Sequence, residues 1–371
     1  MKQVIKYIMV MKNLLFLVAL SFSAPCSAQS IGYKVVELHQ APGQFVNQLP
    51  EADSETTQEE VCQNAQMALA QNYLVSLGTY GGYITVKFDE PVENKRGSDI
   101  LILGNGFYAG SDPVYGTETI GGSIEPGIVY VGVGDRLEDV TWYELAGSEY
   151  FNSEIHDFSV TYYKPETEEQ TDDYLKWRCS WTDKDGTPRD STGCHPKKSS
   201  NKSLWPLYEH KDELTFSGGK LPNNAVDQSG NGTYWVQYRY SADSYGYVDA
   251  CAAKDSVGSS FDIDWAVDSK GTPVYLDHVD FVRVATGIFQ YCGWLGETST
   301  EVSGFANLHK IPGYDDNPYV ITPRTNPTSI SLPQSEPDGK VDSGWFTITG
   351  QRVGSLQRGK VYIHGGKKVV Y

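Results

Sequence analysis

The segment Tyr83-Ile84-Thr85-Val86-Lys87-Phe88 alternates apolar and polar side chains, and this pattern decides the predicted fold. Successive side chains of a β-strand point to opposite faces, so Ile84, Val86 and Phe88 are predicted to share one buried face. Similar short patterns follow at 129–133, 158–162, 234–240, 261–263 and 279–284. The continuous apolar run 100–103 is typical of a strand that is buried on both faces.

Turn-forming residues separate these patterns, because Gly, Pro, Asn and Asp stand in almost every interval. Many short strands joined by turns predict a mostly β protein, a jelly-roll-like β-sandwich that closes its own edges. One N-terminal helix is predicted in addition. Thr57 and Glu60 have the spacing of a capping box, and apolar residues at helical spacing follow them. We therefore expect a helix at about residues 58–73.

The predicted ligand-binding domain spans residues 29–310 and carries a long, more polar insertion, at about 164–231, that decorates one side of the sandwich. Aromatic residues in this insertion argue against disorder. They are Trp177, Trp181, Trp205 and Tyr208. Residues 311–343 are rich in Pro, Asp, Asn and Ser and are predicted to be a linker. Residues 344–371 regain strand character and form a predicted C-terminal β tail.

Residues 1–28 have the features of a signal peptide for secretion. Lys12 supplies a positive charge, residues 14–22 supply an apolar core, and Cys26-Ser27-Ala28 supplies small residues before the cleavage point. The apolar core is too short to span a membrane as a helix. The alternative is a lipoprotein signal in which Cys26 is lipidated, although Pro25 fits such a site poorly. Both alternatives predict an exported protein, either secreted or at the outer-membrane surface.

The chain is acidic, with a formal net charge of −17 at pH 7. Cleavage after residue 28 removes Lys2, Lys6 and Lys12 and no acidic residue, which changes the net charge to −20. A chain of this charge repels phosphates, so no nucleic-acid partner is predicted. Acidic surfaces favour neutral or cationic partners and metal cations, although they also occur simply as solvated surfaces.

Five cysteines remain after this cleavage, and an exported chain can form disulfides. They are Cys62, Cys179, Cys194, Cys251 and Cys292. Cys179 and Cys194 flank a turn-rich stretch and are the first predicted pair, and Cys251 with Cys292 is the second. An odd count leaves at least one thiol unpaired. The absence of any Cys-x-x-Cys spacing argues against a zinc site.

Several longer motifs follow one another in order along the chain. They occupy residues 77–84, 104–107, 125–129, 142–150, 261–263, 266–268, 279–284 and 293–302. Through these motifs, about residues 32–309 resemble a family of secreted and cell-surface proteins of Bacteroidetes. The C-terminal tail is similar to the sorting tails of such proteins.

This resemblance implies a secreted or surface-exposed β-sandwich of jelly-roll type. Several relatives look like accessory proteins of nutrient uptake at the outer membrane, including the uptake of corrinoids (vitamin B12). The resemblance therefore implies an outer-membrane transporter as a partner. Relatives often carry a calcium-loop-like stretch rich in Asp and Asn before the motif at 142–150. Here residues 132–139 contain Arg136 and lack the asparagines, which argues against calcium at that loop.

Structural Ca²⁺ is predicted elsewhere, because this cation prefers several oxygen ligands. The candidate ligands stand inside the family-like motifs at predicted strand ends. They are Asp99, Asn105, Glu125, Glu144, Asp280 and Glu301. The alternative for each is to stabilise a turn by accepting hydrogen bonds from backbone amides.

Aromatic residues are the second group of candidate binding residues, since the chain contains 8 Trp and 25 Tyr. Exposed rings stack on sugar faces or on a corrin-sized ligand. The predicted contacts to a small-molecule or glycan ligand lie in polar, loop-like contexts. They are Trp181, Trp205, Tyr208, Tyr245 and Tyr247. The alternative is that these rings pack in the core.

No catalytic motif stands out in this sequence. Glu144 and Glu149 are five residues apart, and on a strand they would point to opposite faces, unlike the paired carboxylates of glycosidases. The 7 His are scattered, and neither H-E-x-x-H nor G-x-S-x-G occurs. We therefore predict a non-catalytic binding protein that is accessory to nutrient capture. The alternatives are a secreted carbohydrate-active enzyme, with a raised pKa for one Glu or Asp in an aromatic cleft, and a structural or adhesive surface module.

Overall fold

The computed structural model describes residues 31–113, 120–166, 168, 177–183, 186–194, 203–293, 296–321, 323, 345–347, 361–364 and 367–370. The predicted signal peptide with Cys26 lies outside these residues, as do most of the predicted linker and tail. The described residues form mostly antiparallel β-structure, which confirms the prediction of a mostly β, sandwich-like fold.

The largest sheet has six strands in a row and a seventh strand paired with one of them. In order these are β1 (Tyr33–His39), β3 (Tyr83–Glu93), β18 (His278–Thr286), β7 (Gly127–Val133), β8 (Thr141–Leu145) and β17 (Ala266–Val267), with β15 (Tyr247–Val248) paired to β7. The predicted face of β3 is confirmed, because Ile84, Val86 and Phe88 are all buried. Val86 pairs with Val35 of β1 and with Val282 of β18, so apolar residues stack across three strands.

A second sheet contains much of the predicted insertion. Its strands in order are β11 (Pro188–Cys194), β10 (Trp177–Thr182), β9 (Ile155–Tyr163) and β12 (Glu213–Lys220). Phe158, Tyr162 and Phe216 of this sheet form a core cluster with Tyr80, which precedes β3. The Tyr80 hydroxyl donates to the carbonyl of Phe158 at 3.2 Å and to that of Gly218 at 3.1 Å. The insertion therefore shares a buried core with the N-terminal half of the chain.

The remaining strands form four smaller sheets. One sheet contains β13 (Ala225–Asp227), β14 (Trp235–Tyr238), β6 (Ile120–Ser123) and β5 (Phe107–Pro113), and another contains β16 (Ser260–Phe261), β4 (Ile100–Leu103) and β20 (Gly304–Asn307). A two-stranded sheet pairs β19 (Glu301–Val302) with β2 (Val75–Ser76). The last sheet contains β21 (Trp345–Thr347), β22 (Val361–His364) and β23 (Lys367–Val370). In β4, Ile100 and Ile102 are buried while Leu101 and Leu103 are half-buried. The prediction that this strand is buried on both faces is therefore wrong, since only one face is fully covered.

The predicted helix is α1 (Gln58–Ala70), which ends three residues before the expected boundary. Its capping box is confirmed, because Thr57 Oγ1 accepts from the Glu60 N–H at 3.2 Å and Glu60 Oε2 accepts from the Thr57 N–H at 2.8 Å. Short 3-10 helices occur at Leu137–Asp139, Leu207–Glu209, Ile263–Trp265 and Leu308–Lys310. None of the helices in the described part of the chain has the length and apolar character needed to cross a membrane.

The structure agrees in part with the predicted disulfide between Cys179 and Cys194 and contradicts the one between Cys251 and Cys292. Cys179 is disulfide-bonded, while the side chain of Cys194, its predicted partner, lies outside the described residues. The predicted bond between Cys251 and Cys292 is wrong, because both are buried free thiols. The Cys251 sulfur instead lies 3.4 Å from the hydroxyl of Ser259.

Candidate functional site

Three acidic side chains meet near the ends of β7, β15 and β19, and we call them the first acidic cluster. Because β15 pairs with β7, Glu125 lies beside Asp249, and the Glu125 N–H donates to the Asp249 carbonyl at 3.0 Å. Glu301 begins β19. Carboxylate oxygens of Glu125, Asp249 and Glu301 lie within 4.8 Å of one another.

Burial dominates the electrostatics of the first acidic cluster. Asp249 and Glu301 are each 4% exposed. Burial and then the Asp249 carboxylate raise the pKa of Glu125 to about 8, and burial raises the pKa of Asp249 to about 7. Burial, followed by Glu125 and Asp249, raises the pKa of Glu301 well above its ordinary value. Buried carboxyl groups with raised pKa values keep their protons and stay neutral, unless a bound cation stabilises their ionised form.

Hydrogen bonds hold the carboxylates of the first acidic cluster in place. Asp249 Oδ1 accepts from the Asn105 N–H at 2.8 Å, and its Oδ2 accepts from the Glu301 N–H at 3.1 Å. Glu125 Oε1 accepts from Nε2 of Gln237 at 3.1 Å. The cluster offers only oxygen donors, which is the ligand type that Ca²⁺ prefers.

The structure brings together some of the six predicted metal residues. Glu125 and Glu301 meet in the first acidic cluster, and Asn105 adjoins it through its backbone N–H. Asp249 completes the cluster, and the sequence analysis missed it. It follows the short strand β15, which no sequence pattern predicted, so the strand-end position that selected the other candidates gave no signal for this residue.

Asp99 and Asp280 stabilise backbone turns instead. The two oxygens of Asp99 accept from the N–H groups of Lys95 and Ile263, each at 2.8 Å. Asp280 Oδ2 accepts from the Gly134 N–H at 2.8 Å. These two residues follow the alternative of accepting hydrogen bonds from backbone amides, and they lie outside both groups of potential metal ligands in the described residues.

Glu144, the sixth predicted ligand, lies in a cleft of about 450 Å³ that we call the Glu144 cleft. Trp142 and Glu144 are two residues apart in β8 and so project from the same face. Tyr150 and Phe151 come from the turn that follows, and His156 comes from β9. The cleft therefore combines aromatic walls with a carboxylate and an imidazole.

Glu144, Glu154 and His156 form a second acidic cluster, with one donor atom from each within 4.8 Å of the others. The Glu154 side chain is fully buried, at 0% exposure. Both of its carboxylate oxygens, and Oε1 of Glu144, are buried and accept no hydrogen bond from any residue that the structure describes. Burial and then the Glu154 carboxylate raise the pKa of Glu144 to about 10.

His156 is held between a backbone carbonyl and a carboxylate. Its Nε2 lies 3.1 Å from the carbonyl oxygen of Tyr150, and its Nδ1 lies 3.6 Å from Oε1 of Glu154. The Glu154 carboxylate raises the pKa of His156. Glycine at position 219 leaves room for this arrangement, because a Cβ built there would overlap Oε1 of Glu154.

Glu149 is the carboxylate nearest to Glu144 in the motif 142–150, but strand geometry argues against it as a partner. Glu149 lies in the turn after β8, where Ser148 and Ser153 donate hydrogen bonds to its carboxylate, and it is not part of the second acidic cluster. Glu154 and His156 were missed. A Glu and a His two residues apart at the start of the predicted strand 158–162 were the available signal, since such residues share a face.

Most of the predicted aromatic contacts are wrong, because three of them are core residues. Trp205, Tyr208 and Tyr247 are 1%, 3% and 2% exposed. Trp181 is half-buried with its ring centroid 5.2 Å from that of Phe289. Tyr245 is half-buried with its ring centroid 4.9 Å from that of Trp265. Their polar sequence neighbours gave a misleading indication of exposure.

No protein-family model matches the chain, and no curated protein matches it. The resemblance to Bacteroidetes surface proteins and the similarity of the tail to sorting tails remain predictions.

Proposed function

We propose that this chain is a non-catalytic, secreted or surface-exposed binding protein whose ligand occupies the Glu144 cleft. The observation that supports this is a cavity of about 450 Å³ in which aromatic walls stand beside polar and charged side chains that can fix the orientation of a small ligand. Phe151 is 50% exposed and offers ring surface for stacking. Glu144 and His156 offer hydrogen-bonding groups to ligand hydroxyls.

The volume of the cleft favours a small molecule or the end of a glycan as the ligand. The volume of about 450 Å³ lies in the lower part of the range of small-ligand sites, which fits a short glycan end better than a whole corrinoid. The acidic surface of the chain agrees with a neutral ligand. A role in nutrient capture beside an outer-membrane transporter rests on the family resemblance, as does vitamin B12 as the alternative ligand.

Isothermal titration calorimetry of residues 29–371 against gut-type glycans and cobalamins tests this function. Phe151→Ala should weaken binding about tenfold, because one stacking ring is lost. Phe107→Ala is the matched control, since Phe107 is 60% exposed and lies outside the Glu144 cleft. An equal loss in both variants would remove the cleft as the ligand site, and no binding of any ligand would remove the binding function.

A secreted glycosidase is the second candidate, because Glu144 has a raised pKa beside a second carboxylate in an aromatic cleft. A glycosidase needs both carboxylates to reach the sugar. The Glu154 side chain is fully buried, which supports binding over catalysis. Hydrolysis of a chromogenic glycoside panel that stops in Glu144→Gln would favour the enzyme, whereas turnover that survives in this variant would indicate a contaminant.

For the first acidic cluster we propose structural Ca²⁺, which its all-oxygen donor set supports. A cation that binds only the folded state raises the melting temperature. We expect a chelator to lower the melting temperature of the wild type and to leave that of Glu301→Gln unchanged. Asp280→Asn is the control and should respond like the wild type. A melting temperature that a chelator does not change would exclude this role, and calcium dependence without any ligand would favour the structural module.

A further inference from the structure

The second acidic cluster contains polar atoms that lack partners. Glu154 is fully buried, and both of its carboxylate oxygens accept no hydrogen bond from the described residues. Oε1 of Glu144 is also buried and also accepts no hydrogen bond from the described residues. Buried carboxylates are normally paired or hydrogen-bonded, since leaving them unmatched is costly. Two facing carboxyl groups that receive no donor from another described residue therefore indicate that a positive species, either a proton or a cation, belongs between them.

The hydrogen on His156 can be assigned from its neighbours. Its Nε2 faces the Tyr150 carbonyl at 3.1 Å, and a carbonyl only accepts, so Nε2 carries the hydrogen. In a neutral imidazole Nδ1 then has a bare lone pair. This lone pair faces Oε1 of Glu154, another acceptor. The imidazole and the carboxylate are matched only when a proton or a metal ion lies between them.

The distance between these two atoms is longer than a charge-assisted hydrogen bond and is compatible with a metal ion. A charge-assisted N–H···O hydrogen bond brings nitrogen and oxygen to about 2.8 Å. Two ligands of a tetrahedral zinc ion, each about 2.1 Å from the metal, lie about 3.4 Å apart. His156 Nδ1 and Glu154 Oε1 are 3.6 Å apart, which is close to the second value.

The donor set narrows the choice of metal. One imidazole nitrogen with carboxylate oxygens suits zinc and its first-row neighbours, whereas Ca²⁺ and Mg²⁺ take oxygen ligands. The hydrogen bond from His156 Nε2 to the Tyr150 carbonyl is the outer contact that usually orients a ligating histidine. Lys270 also lines the Glu144 cleft, and the described residues contain no ion pair from it to Glu144 or Glu154.

We propose that Glu144, Glu154 and His156 bind a divalent first-row transition metal such as Zn²⁺, with the remaining coordination position facing the Glu144 cleft. Three protein ligands and one open position are typical of zinc sites that bind an external oxygen. The metal would then hold a hydroxyl or carboxylate oxygen of the ligand. The site itself depends only on these three side chains, whereas this contact to a ligand rests on the proposed function of the cleft.

Zinc titration of the metal-free mature chain tests the proposal. Residues 29–371, stripped with a chelator and dialysed, should bind one Zn²⁺ per chain at this site in calorimetry, and excess Ca²⁺ or Mg²⁺ should not compete. His156→Ala and Glu154→Gln should each weaken this binding at least about tenfold. His278→Ala is the matched control, because His278 also stands beside an acid, Asp280, at 3.8 Å. Zinc affinity that the first two variants leave unchanged would overturn the site.

X-ray absorption of the zinc-loaded wild type keeps the test independent of variant folding. We expect nitrogen and oxygen ligands with the multiple scattering of one imidazole. Sulfur ligands would assign the zinc to the free cysteines and overturn the proposal, as would failure to bind zinc at all. Glycan binding by a chain that does not bind zinc would support the proposed function and overturn the metal site. Zinc binding by a chain that binds no glycan would support the metal site and contradict the proposed function.

Discussion

The two acidic clusters contain equal numbers of ionisable side chains, but their surroundings differ. In the first, backbone and amide N–H groups donate to Asp249 and Glu125 at 2.8 to 3.1 Å. In the second, both oxygens of Glu154 and one of Glu144 lack donors among the described residues. The first cluster is closed by buried residues, whereas Glu144 and His156 of the second face a cleft.

This difference separates a cluster that supports the fold from one that is suited to an external partner. Donors built into the backbone stabilise the first cluster whether or not a cation joins it. Within the part of the chain that the structure describes, no group donates to either oxygen of Glu154, so this carboxylate gains from a species that is supplied from outside. Removal of the Asp249 carboxylate should therefore lower stability, whereas removal of the Glu154 carboxylate in the absence of metal should raise it.

The largest effect should come from Asp249→Ala in the first cluster. The N–H groups of Asn105 and Glu301 would lose their acceptor inside the protein, and each buried donor left unmatched costs about 1–3 kcal/mol. We expect the free energy of unfolding to fall by about 3–5 kcal/mol in urea denaturation. A loss below about 1 kcal/mol would mean that these hydrogen bonds do not support the fold.

Asp262, a buried acid outside both clusters, provides a reference for them. Burial raises the pKa of Asp262 to about 7, although its carboxylate accepts from the Asp264 N–H at 2.9 Å. Because the folded pKa lies above the unfolded one, this carboxyl contributes stability that is complete below about pH 4 and is lost as pH rises through 7. Asp262→Asn keeps the acceptor and removes this loss.

Relative to the wild type, Asp262→Asn should gain stability between pH 4 and pH 8, by at most about 4 kcal/mol. Urea denaturation at pH 4, 6 and 8 measures the difference between the two proteins. A difference that does not change with pH would show that Asp262 is not held in its neutral form.

Gly219→Ala tests how tightly the second cluster is packed. The new Cβ would overlap Oε1 of Glu154, so the carboxylate must move. Overpacking of this kind should lower the free energy of unfolding by about 1–3 kcal/mol. Gly304→Ala is the control, since a Cβ there meets no atom within 4 Å, and its thermal unfolding should match the wild type. Equal behaviour of the two variants would contradict the tight packing of Glu154.

The smallest change in the free energy of unfolding should come from Glu154→Gln in the absence of metal, and it should be an increase. The amide can donate to the unmatched Glu144 oxygen and removes one buried carboxylate. We expect the chelator-treated variant to be more stable than the wild type by about 1 kcal/mol. Chemical denaturation in chelator, repeated with Zn²⁺, measures this, and added zinc should reverse the order. A destabilised variant in chelator would mean that Glu154 already has a donor.

Local patterns in the sequence were sufficient for the secondary structure at several places. The alternation in Ile84, Val86 and Phe88 predicted a face that is buried, because side-chain direction in a strand repeats every two residues. The capping box of Thr57 and Glu60 predicted the start of α1, because both of its hydrogen bonds join residues three apart. The end of α1 was less well predicted.

Exposure was harder to predict, because it depends on what packs against a residue from far along the chain. Trp205 was expected at the surface from its polar neighbours, yet its Nε1 donates to the Lys211 carbonyl at 2.9 Å and its ring lies in the core. Cys251 and Cys292 were expected to pair, but separate environments bury each as a free thiol. Local composition carries no information on these distant contacts.

The sequence by itself determined the mostly β class, the helix α1 and three of the acidic residues in the two clusters, namely Glu125, Glu144 and Glu301. Only the tertiary structure decided which of these residues meet. Glu125, Asp249 and Glu301 converge through the pairing of β15 with β7, and Glu154 turns its carboxylate toward Glu144 over the space that Gly219 leaves. Strand periodicity is a local property of the chain, whereas the distance between carboxylates and their supply of donors depend on sheet pairing between distant segments.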